Sequence, residues 1–469
     1  MKFSKLKLTL LSSPILLLPP IFLTSCQKNN LKETNEVTVS TFNVSFAVDN
    51  DKNETYDRWV KFFSFTNEEQ NTLIEKYKSA SDKNDASLLT KEEKENAERI
   101  IQIRNIAAII QYKRPDILLL NEFNNDGNGS KETIELFQKN YLSFPQSLNS
   151  FSDTSIMLEP IFYPFYDSFA TNTGLESNMD LDNDGIINSS PNDAYGFGYY
   201  HGHYAFALLS KYELISKEKR TFQNFLIKDI PNIEIPKITV KEGDPNFDKI
   251  PQGMKTGDNW YSDEEWNRLR LSSKNHVDIP VKINNEKIHL LLSHPTPPAF
   301  DTVTKANLIR NYYEVIFWKY YIENASFIYD DNGSYGGLDG KNEKFVILGD
   351  LNSDPFTKNE DSHIGISELL SSQLINQKIN KEFVPTSIGA AIEKNSNNHP
   401  FFESRTSTFG KRADYSIPSH NSNLIETGVY WAGVNEQGRK LFNDVWFNKE
   451  VSSKTVSSDH RYVWSKIRF

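Results

Sequence analysis

The chain has 469 residues, 38% of them hydrophobic and 24% charged, which supplies apolar mass for a sizeable core and excludes a disordered chain. The formal net charge is −10, and setting aside the three lysines of the first 25 residues leaves the chain from Cys26 onward near −13, so bulk attraction to a phosphate backbone is excluded. Any nucleic-acid binding needs a local cation, and the single cysteine, Cys26, rules out a disulfide framework.

Lys2, Lys5 and Lys7 open the chain, and an apolar run from Leu8 to Leu23 follows, broken by Pro14 and by Pro19-Pro20. Leu23-Thr-Ser-Cys26 closes it, which is the pattern of an export signal. The prolines argue against a straight spanning helix, and no other segment approaches 18 apolar residues. The ending resembles the lipobox of bacterial lipoproteins, in which the cut falls before the cysteine and the thiol carries diacylglycerol. The expected organisation is a signal peptide over 1–25, lipidation at Cys26, a polar tether over 26–36 and a catalytic domain over 37–469. That domain is expected outside the cytoplasm, held at the membrane by the lipid anchor, and no protein partner is inferred.

Val37 to Asn43 alternates and is rich in β-branched residues, so it reads as a strand. Residues 67–79 are helical in pattern, and Thr90-Lys-Glu-Glu93 opens a second helix as a capping box. Ala97, Ile100, Ile103, Ala107 and Ile110 continue it at helical spacing until Pro115, and Ile117 to Leu120 is a short buried strand. Residues 123–195 read as a loop-rich insertion. Within it, Asp180, Asp182 and Asp184 followed by Gly185 resemble the first half of a calcium loop, with acids at positions one, three and five and glycine at six. Pro191 stands at position twelve in place of glutamate, so this is no full EF-hand; a structural Ca²⁺ site and an Asx-rich turn are both open.

Residues 204–209 and 278–283 read as strands, with a Pro-, Asp- and Gly-rich insertion near 220–265 between them. Ser272, Ser273, Lys274 and His276 form a donor-rich cluster that is a candidate phosphate grip, or else a polar hairpin rim. His201 and His203, two apart, either face one cleft or pack on backbone, whereas His289 reads as structural. Asn284-Asn285 turns the chain into a hairpin strand at 287–293. Residues 302–324 form a long helix with Leu308, Tyr312, Val315 and Lys319 on one stripe. Apolar strands follow at 345–348, 413–418, 426–431 and 460–467. Strands, hairpins and helices mix without strict alternation, which predicts an α/β (α+β) fold of two packed sheets with helices outside.

Acids and amides gather at the strand ends: Asn43, Asn121-Glu122, Asp350 and Asn352, Asp414, and Asp459-His460. Asp350 and Asn352, two apart, share a face in extended backbone. Hard cations such as Mg²⁺ take oxygen ligands, a role that suits Glu122 and Asp459. A phosphodiester also needs an activated water, a proton donor and donors for the charged phosphate, which His460, His294, Asn352 and Asn43 can supply. Taken singly, Glu122 is a solvated acid after a strand, Asp350-Leu-Asn352 a turn, and His294 a capped strand end.

Taken together, the set resembles the endonuclease/exonuclease/phosphatase family, the fold of pancreatic deoxyribonuclease. The matching pieces are Thr41-Phe-Asn43, Pro115 to Glu122, Ala205 to Ser210, Leu292-Ser-His294, Gly349-Asp-Leu-Asn-Ser353, Arg412-Ala-Asp-Tyr415 and Ser458-Asp-His460, in the family's order. The resemblance implies a four-layer sandwich of two mainly antiparallel sheets flanked by helices. It implies Glu122 as principal metal ligand, Asn43 and Asp459 near metal and phosphate, Asp350 and Asn352 orienting water and phosphate, and Asp414 orienting His460. His294 matches a second catalytic histidine, and His203 stands near the position of that histidine's usual glutamate partner. The expected cofactor is Mg²⁺, with Mn²⁺ or Ca²⁺ as alternatives. In the expected mechanism Asp350 or His460 activates water and His294 protonates the leaving oxygen. The expected substrate is nucleic acid. Two rivals are a phospholipid (sphingomyelinase-like) or phosphomonoester hydrolase and a surface binding lipoprotein with a disabled site.

Overall fold

A computed structural model describes residues 36–45, 53–356, 363–393 and 399–468. The expected signal peptide, Cys26 and nearly all of the tether lie outside the described residues. Among the described residues no helix is long and apolar enough to cross a membrane.

Two sheets carry the domain. The six-stranded sheet runs Asn423–Tyr430, Tyr462–Arg468, Glu36–Asn43, Ile117–Asn121, Phe206–Ser210, Phe165–Ser168. The five-stranded sheet runs Asp414–Pro418, Lys344–Asp350, Glu286–Ser293, His276–Ile283, Arg220–Thr221. Each has one parallel pairing, Val39 opposite Ile117 in the first and Leu348 opposite Leu292 in the second; the other pairings are antiparallel.

The central strands read Val-Thr-Val, Ile-Leu-Leu-Leu and Phe-Val-Ile-Leu because both of their faces are covered. Val37, Val39, Ile117 and Leu119 point toward Leu290, Leu292, Val346 and Leu348 of the other sheet in one apolar core. The opposite face of the first sheet, Phe42, Leu118 and Leu120, packs on the Lys91–Lys113 helix. The far side of the second sheet is covered by Val315, Phe317 and Trp318 of the Ala306–Ile322 helix. Helix, sheet, sheet, helix is the four-layer order expected from the sequence. Ser416 fastens the sheets together, its Oγ donating to the Val39 carbonyl at 3.0 Å.

Two expectations change. The 123–195 segment is not wholly loop: it supplies a helix, Glu132–Phe137, and the edge strand Phe165–Ser168 of the six-stranded sheet. A helix at Tyr56–Ser64 was not expected; Thr55 caps it, and Trp59, Phe62 and Phe63 bury its inner face. The register then places the site. Asn43 lies opposite Asn121, and Asp350 opposite Asp414, so the ends of strands from both sheets open on one edge of the sandwich.

Candidate active site

Asp350 ends a strand at full burial, and its Oδ2 is the hub of the cluster. Asn43 Nδ2 donates to it at 3.0 Å and to Glu122 Oε1 at 2.9 Å. The Nε2 atoms of His294 and His460 each lie 3.6 Å from the same Oδ2. Ligand-type atoms of Glu122, His294 and Asp350 fall within 4.8 Å of one another, as do those of Asp350, Asp414 and His460. Segments more than 300 residues apart in sequence thus converge on one carboxylate oxygen.

Local chemistry explains the placement. Glu122 adopts a left-handed backbone conformation, φ 56°, rare for a residue with a long side chain, and this turns its carboxylate out of the strand direction. Gly349 is required by close approach, since a Cβ there would sit 2.0 Å from the Ser293 carbonyl oxygen. Ser458 Oγ donates to the Asn43 carbonyl at 2.8 Å and accepts from the His460 amide at 3.0 Å, tying the last strand's entry to the first strand's exit. Asp414 Oδ2 lies 2.9 Å from His460 Nδ1 and accepts from Thr406 Oγ1 at 2.7 Å, which fixes the imidazole with Nε2 toward Asp350.

The two histidines are driven apart electrostatically. Burial pulls His460 down, but Asp414 and Asp350 outweigh it and hold the ring well above its ordinary value, as an imidazolium. Burial, Lys274 and His460 push His294 well below its ordinary value, so it is neutral. Burial raises Asp350 to about 6 against the pull of His460. Burial also raises Asp459, and His460 and Lys454 outweigh it to leave the group below its ordinary value. Its Oδ1 is buried without a hydrogen-bond partner among the described residues. Hard oxygen donors at Glu122 and Asp350 in this cluster fit a hard divalent cation, whereas Asp459, whose Oδ2 lies 3.5 Å from the Lys454 ammonium, does not group with them among the described residues.

The remaining expected residues divide. Asn352 does not continue the strand: its φ is 51°, its amide donates to Asp350 Oδ1 at 2.9 Å, and its Nδ2 donates to the Pro295 carbonyl at 3.1 Å. An Asx turn replaces the shared extended face, because the strand ends at Asp350. In the donor-rich cluster only Lys274 faces the site. It is 5% exposed, its ammonium makes no hydrogen bond or ion pair among the described residues, and the carboxylates acting on it are Glu314, Glu122 and Asp350. Ser273 and His276 are corrected from phosphate grip to scaffold. Ser273 N and Oγ donate to Glu314 Oε1 at 2.7 and 3.1 Å, and His276 lies 2.8 Å from the Glu314 carbonyl and 3.1 Å from Ser272 Oγ. His203 is buried and stacked on Tyr204 at 3.7 Å; its Nδ1 accepts from the Tyr199 amide at 3.3 Å, and burial lowers it to about 3. Its Nε2 has no hydrogen-bond partner among the described residues, and an imidazole offers no carboxylate to His294.

Asp180, Asp182 and Asp184 do come together within 4.8 Å, far more exposed than the first cluster. They cap one another's backbone: Asp180 accepts from the amides of Asp184 and Gly185, and Asp184 from that of Ile186. His289 lies 2.8 Å from Asp278, the structural role expected of it, and His201 lies 3.0 Å from the Thr171 carbonyl.

Residues that sequence reasoning missed lie behind the cluster. Thr406 holds Asp414, Phe409 packs edge-on against His460 at 5.2 Å, and Asn311, Glu314 and Trp318 support the loops from one helix. The signal for the last three was a polar pair at helical spacing on a buried face.

Comparison with known proteins gives three results. The model of the family described as Endonuclease/Exonuclease/phosphatase family matches residues 93–460. No curated protein matches. Solved structures that match include a protein of that family from Leptotrichia buccalis, 12% identical over 92% of this chain and 100% of that one, with a TM-score of 0.39. A mannosyl-6-phosphatase of Bacteroides thetaiotaomicron is also 12% identical, over 92% of this chain and 100% of that one, with a TM-score of 0.38. For the beta toxin of Staphylococcus aureus the values are 12%, 92%, 99% and 0.35.

Proposed function

The chain belongs to the endonuclease/exonuclease/phosphatase family, and from that premise we propose that it is a divalent-metal-dependent phosphodiesterase acting on nucleic acid outside the cytoplasm, tethered through lipidated Cys26. The observation that carries the reading is the position of Asp350 Oδ2, 3.0 Å from Asn43 and 3.6 Å from each of two histidines held in opposite charge states.

Glu122 would hold the cation, with Asp459 and Asn43 beside it; Mg²⁺ is the first choice, with Mn²⁺ or Ca²⁺ as alternatives. When bound, such an ion supplies Lewis-acid polarisation of the scissile phosphate. The Lys274 ammonium meets a phosphate oxygen and the second N–H of the Asn352 side-chain amide another, while Asn43, with both N–H groups on Glu122 and Asp350, holds those two carboxylates in place. Neutral His294 accepts the proton of the attacking water. His460, charged and braced by Asp414, donates to the leaving oxygen. The opposite shifts of the two rings support this assignment of base and acid over the alternative in which His294 protonates the leaving oxygen. Asp350 lies between the two rings and keeps both facing the phosphate.

Nucleic acid is preferred because Phe409, 42% exposed, offers a ring beside His460 on which a base next to the scissile phosphate can stack. A phospholipid or phosphomonoester substrate is the second reading, favoured by Phe300, 87% exposed on the loop that follows His294. A structural Ca²⁺ at Asp180, Asp182 and Asp184 belongs to the same proposal.

The test is hydrolysis of DNA, RNA, sphingomyelin and a soluble phosphate ester, each with and without EDTA. The reading expects EDTA-sensitive cleavage of DNA or RNA. Cleavage of sphingomyelin or the ester alone would move the assignment to the second reading, and inactivity on all four with Mg²⁺ present would leave a binding protein. Replacing Cys26 by Ala is expected to release the protein from membrane fractions; continued extraction by detergent alone would contradict the anchor.

A further inference from the structure

The Ala306–Ile322 helix carries a polar stripe that none of the motif residues explains. Asn311, Glu314 and Trp318 follow one another at i, i+3 and i+7, so they lie on one helical face. All three are buried and all three reach loops of the site. Trp318 Nε1 donates to Ser293 Oγ at 2.8 Å, just before His294. Asn311 Nδ2 donates to the carbonyls of Thr296 at 2.8 Å and Leu351 at 3.0 Å, on the loops that carry His294 and Asp350. Glu314 spans two loops. Its Oε1 accepts from Ser273 N and Oγ at 2.7 and 3.1 Å, and its Oε2 accepts from the Thr296 amide at 2.6 Å.

A wholly buried carboxylate is costly unless it is hydrogen-bonded and charge-compensated. Glu314 is fully buried and its hydrogen bonds come from neutral donors. Lys274, adjacent to Ser273 in sequence, is a buried cation on which Glu314 acts more strongly than Glu122 or Asp350 does, without a direct ion pair, and the Lys274 ammonium has no hydrogen-bond or ion-pair partner among the described residues. The carboxylate therefore sits where it keeps a buried ammonium charged and pointed into the cluster, while its other oxygen holds the strand exit that bears His294.

We propose that Glu314 is a positioning residue that sets the Lys274 ammonium against the His294 imidazole, so that both meet one phosphoryl group. The inference rests on the reading of Lys274 as a phosphate contact. It goes further in assigning to a helix residue, absent from every strand-end motif, the job of coupling two loops.

The test is a double-mutant cycle read by calorimetric binding of inorganic phosphate to the Mg²⁺-supplied protein, which does not depend on which ester is hydrolysed. K274A and E314Q are each expected to weaken phosphate at least tenfold, and the double variant to be no weaker than K274A by more than about twofold, because one substitution acts through the other. E314D, which keeps the charge but is one methylene too short to hold both loops, is expected to fall between wild type and E314Q. Multiplicative losses in the double variant, or E314Q binding within twofold of wild type, would overturn the proposal. If E314Q does not fold, as judged by its thermal unfolding transition, E314D decides: within twofold of wild type it overturns the proposal, and a loss of fivefold or more that disappears in the K274A background supports it. A protein that binds phosphate in this coupled way yet cleaves no ester would remove the proposed activity and leave the coupling intact.

Discussion

Among the described residues two sets of acids lie close enough to share a cation, and they are built on opposite principles. Asp350 and Asp414 are buried, come from different strands, and are bridged by side chains of other segments: Asn43, Thr406, His294 and His460. Asp180, Asp182 and Asp184 lie within five consecutive residues, are partly exposed, and spend their oxygens on the amides of their own loop. Proximity of carboxylates is therefore uninformative by itself. Long-range convergence has to be held against the repulsion and desolvation of buried charge, and that cost is what marks the first cluster as the candidate reaction site.

The largest effects should separate the two. Glu122→Ala and His460→Ala are each expected to lower turnover by roughly 10²–10⁴-fold with the fold retained, the range typical of losing a catalytic acid or base. Steady-state rates alongside circular dichroism check this, and near-normal rates in both variants would remove the distinction. A smaller effect is expected from pH acting on the scaffold behind the site. Burial lowers His276 from 6.5 to about 4. Below pH 6.5 the unfolded chain binds a proton there that the folded chain refuses, so stability present above 6.5 is lost as pH falls toward 4. The loss amounts to about 3 kcal/mol. Urea unfolding across this range should show that slope, and His276→Gln should flatten it; an unchanged slope would mean the imidazole is not held neutral. Smallest is the expected effect of replacing Asp180, Asp182 and Asp184 together by Asn. Turnover should stay within about twofold, and a lower melting temperature should appear only when Ca²⁺ is supplied to the wild type. A catalytic loss from this triple replacement would erase the contrast between the clusters.

What the sequence made legible follows the same division. Strand-end residues such as Asn43, Glu122, Asp350 and His460 stand in short local patterns, and alternating or apolar runs fixed their strands, so their meeting at one edge followed from the fold. Lys274 was legible as one of a donor-rich group, but the group could not be sorted, because Ser273 and His276 differ from it only in what Glu314 does to them. Glu314, Asn311 and Trp318 were hidden because the helix was read by its apolar stripe, and their partners lie 15 or more residues away. Phe165–Ser168 was hidden because a four-residue edge strand inside a long polar stretch carries little periodicity of its own. The charge states of His294 and His460 were illegible for a further reason: burial and the charges of Lys274, Asp414, Asp350 and Asp459 set them, and of these only Asp459 is a sequence neighbour of either ring.

The most direct measurement is anomalous diffraction from crystals of the protein soaked in Mn²⁺, compared with crystals of Glu122→Ala treated alike. The account predicts a manganese peak against the Glu122 carboxylate beside Asp350 in the wild type and its loss in the variant. Manganese bound only at the Asp180–Asp184 loop, or an unchanged peak in Glu122→Ala, would contradict it.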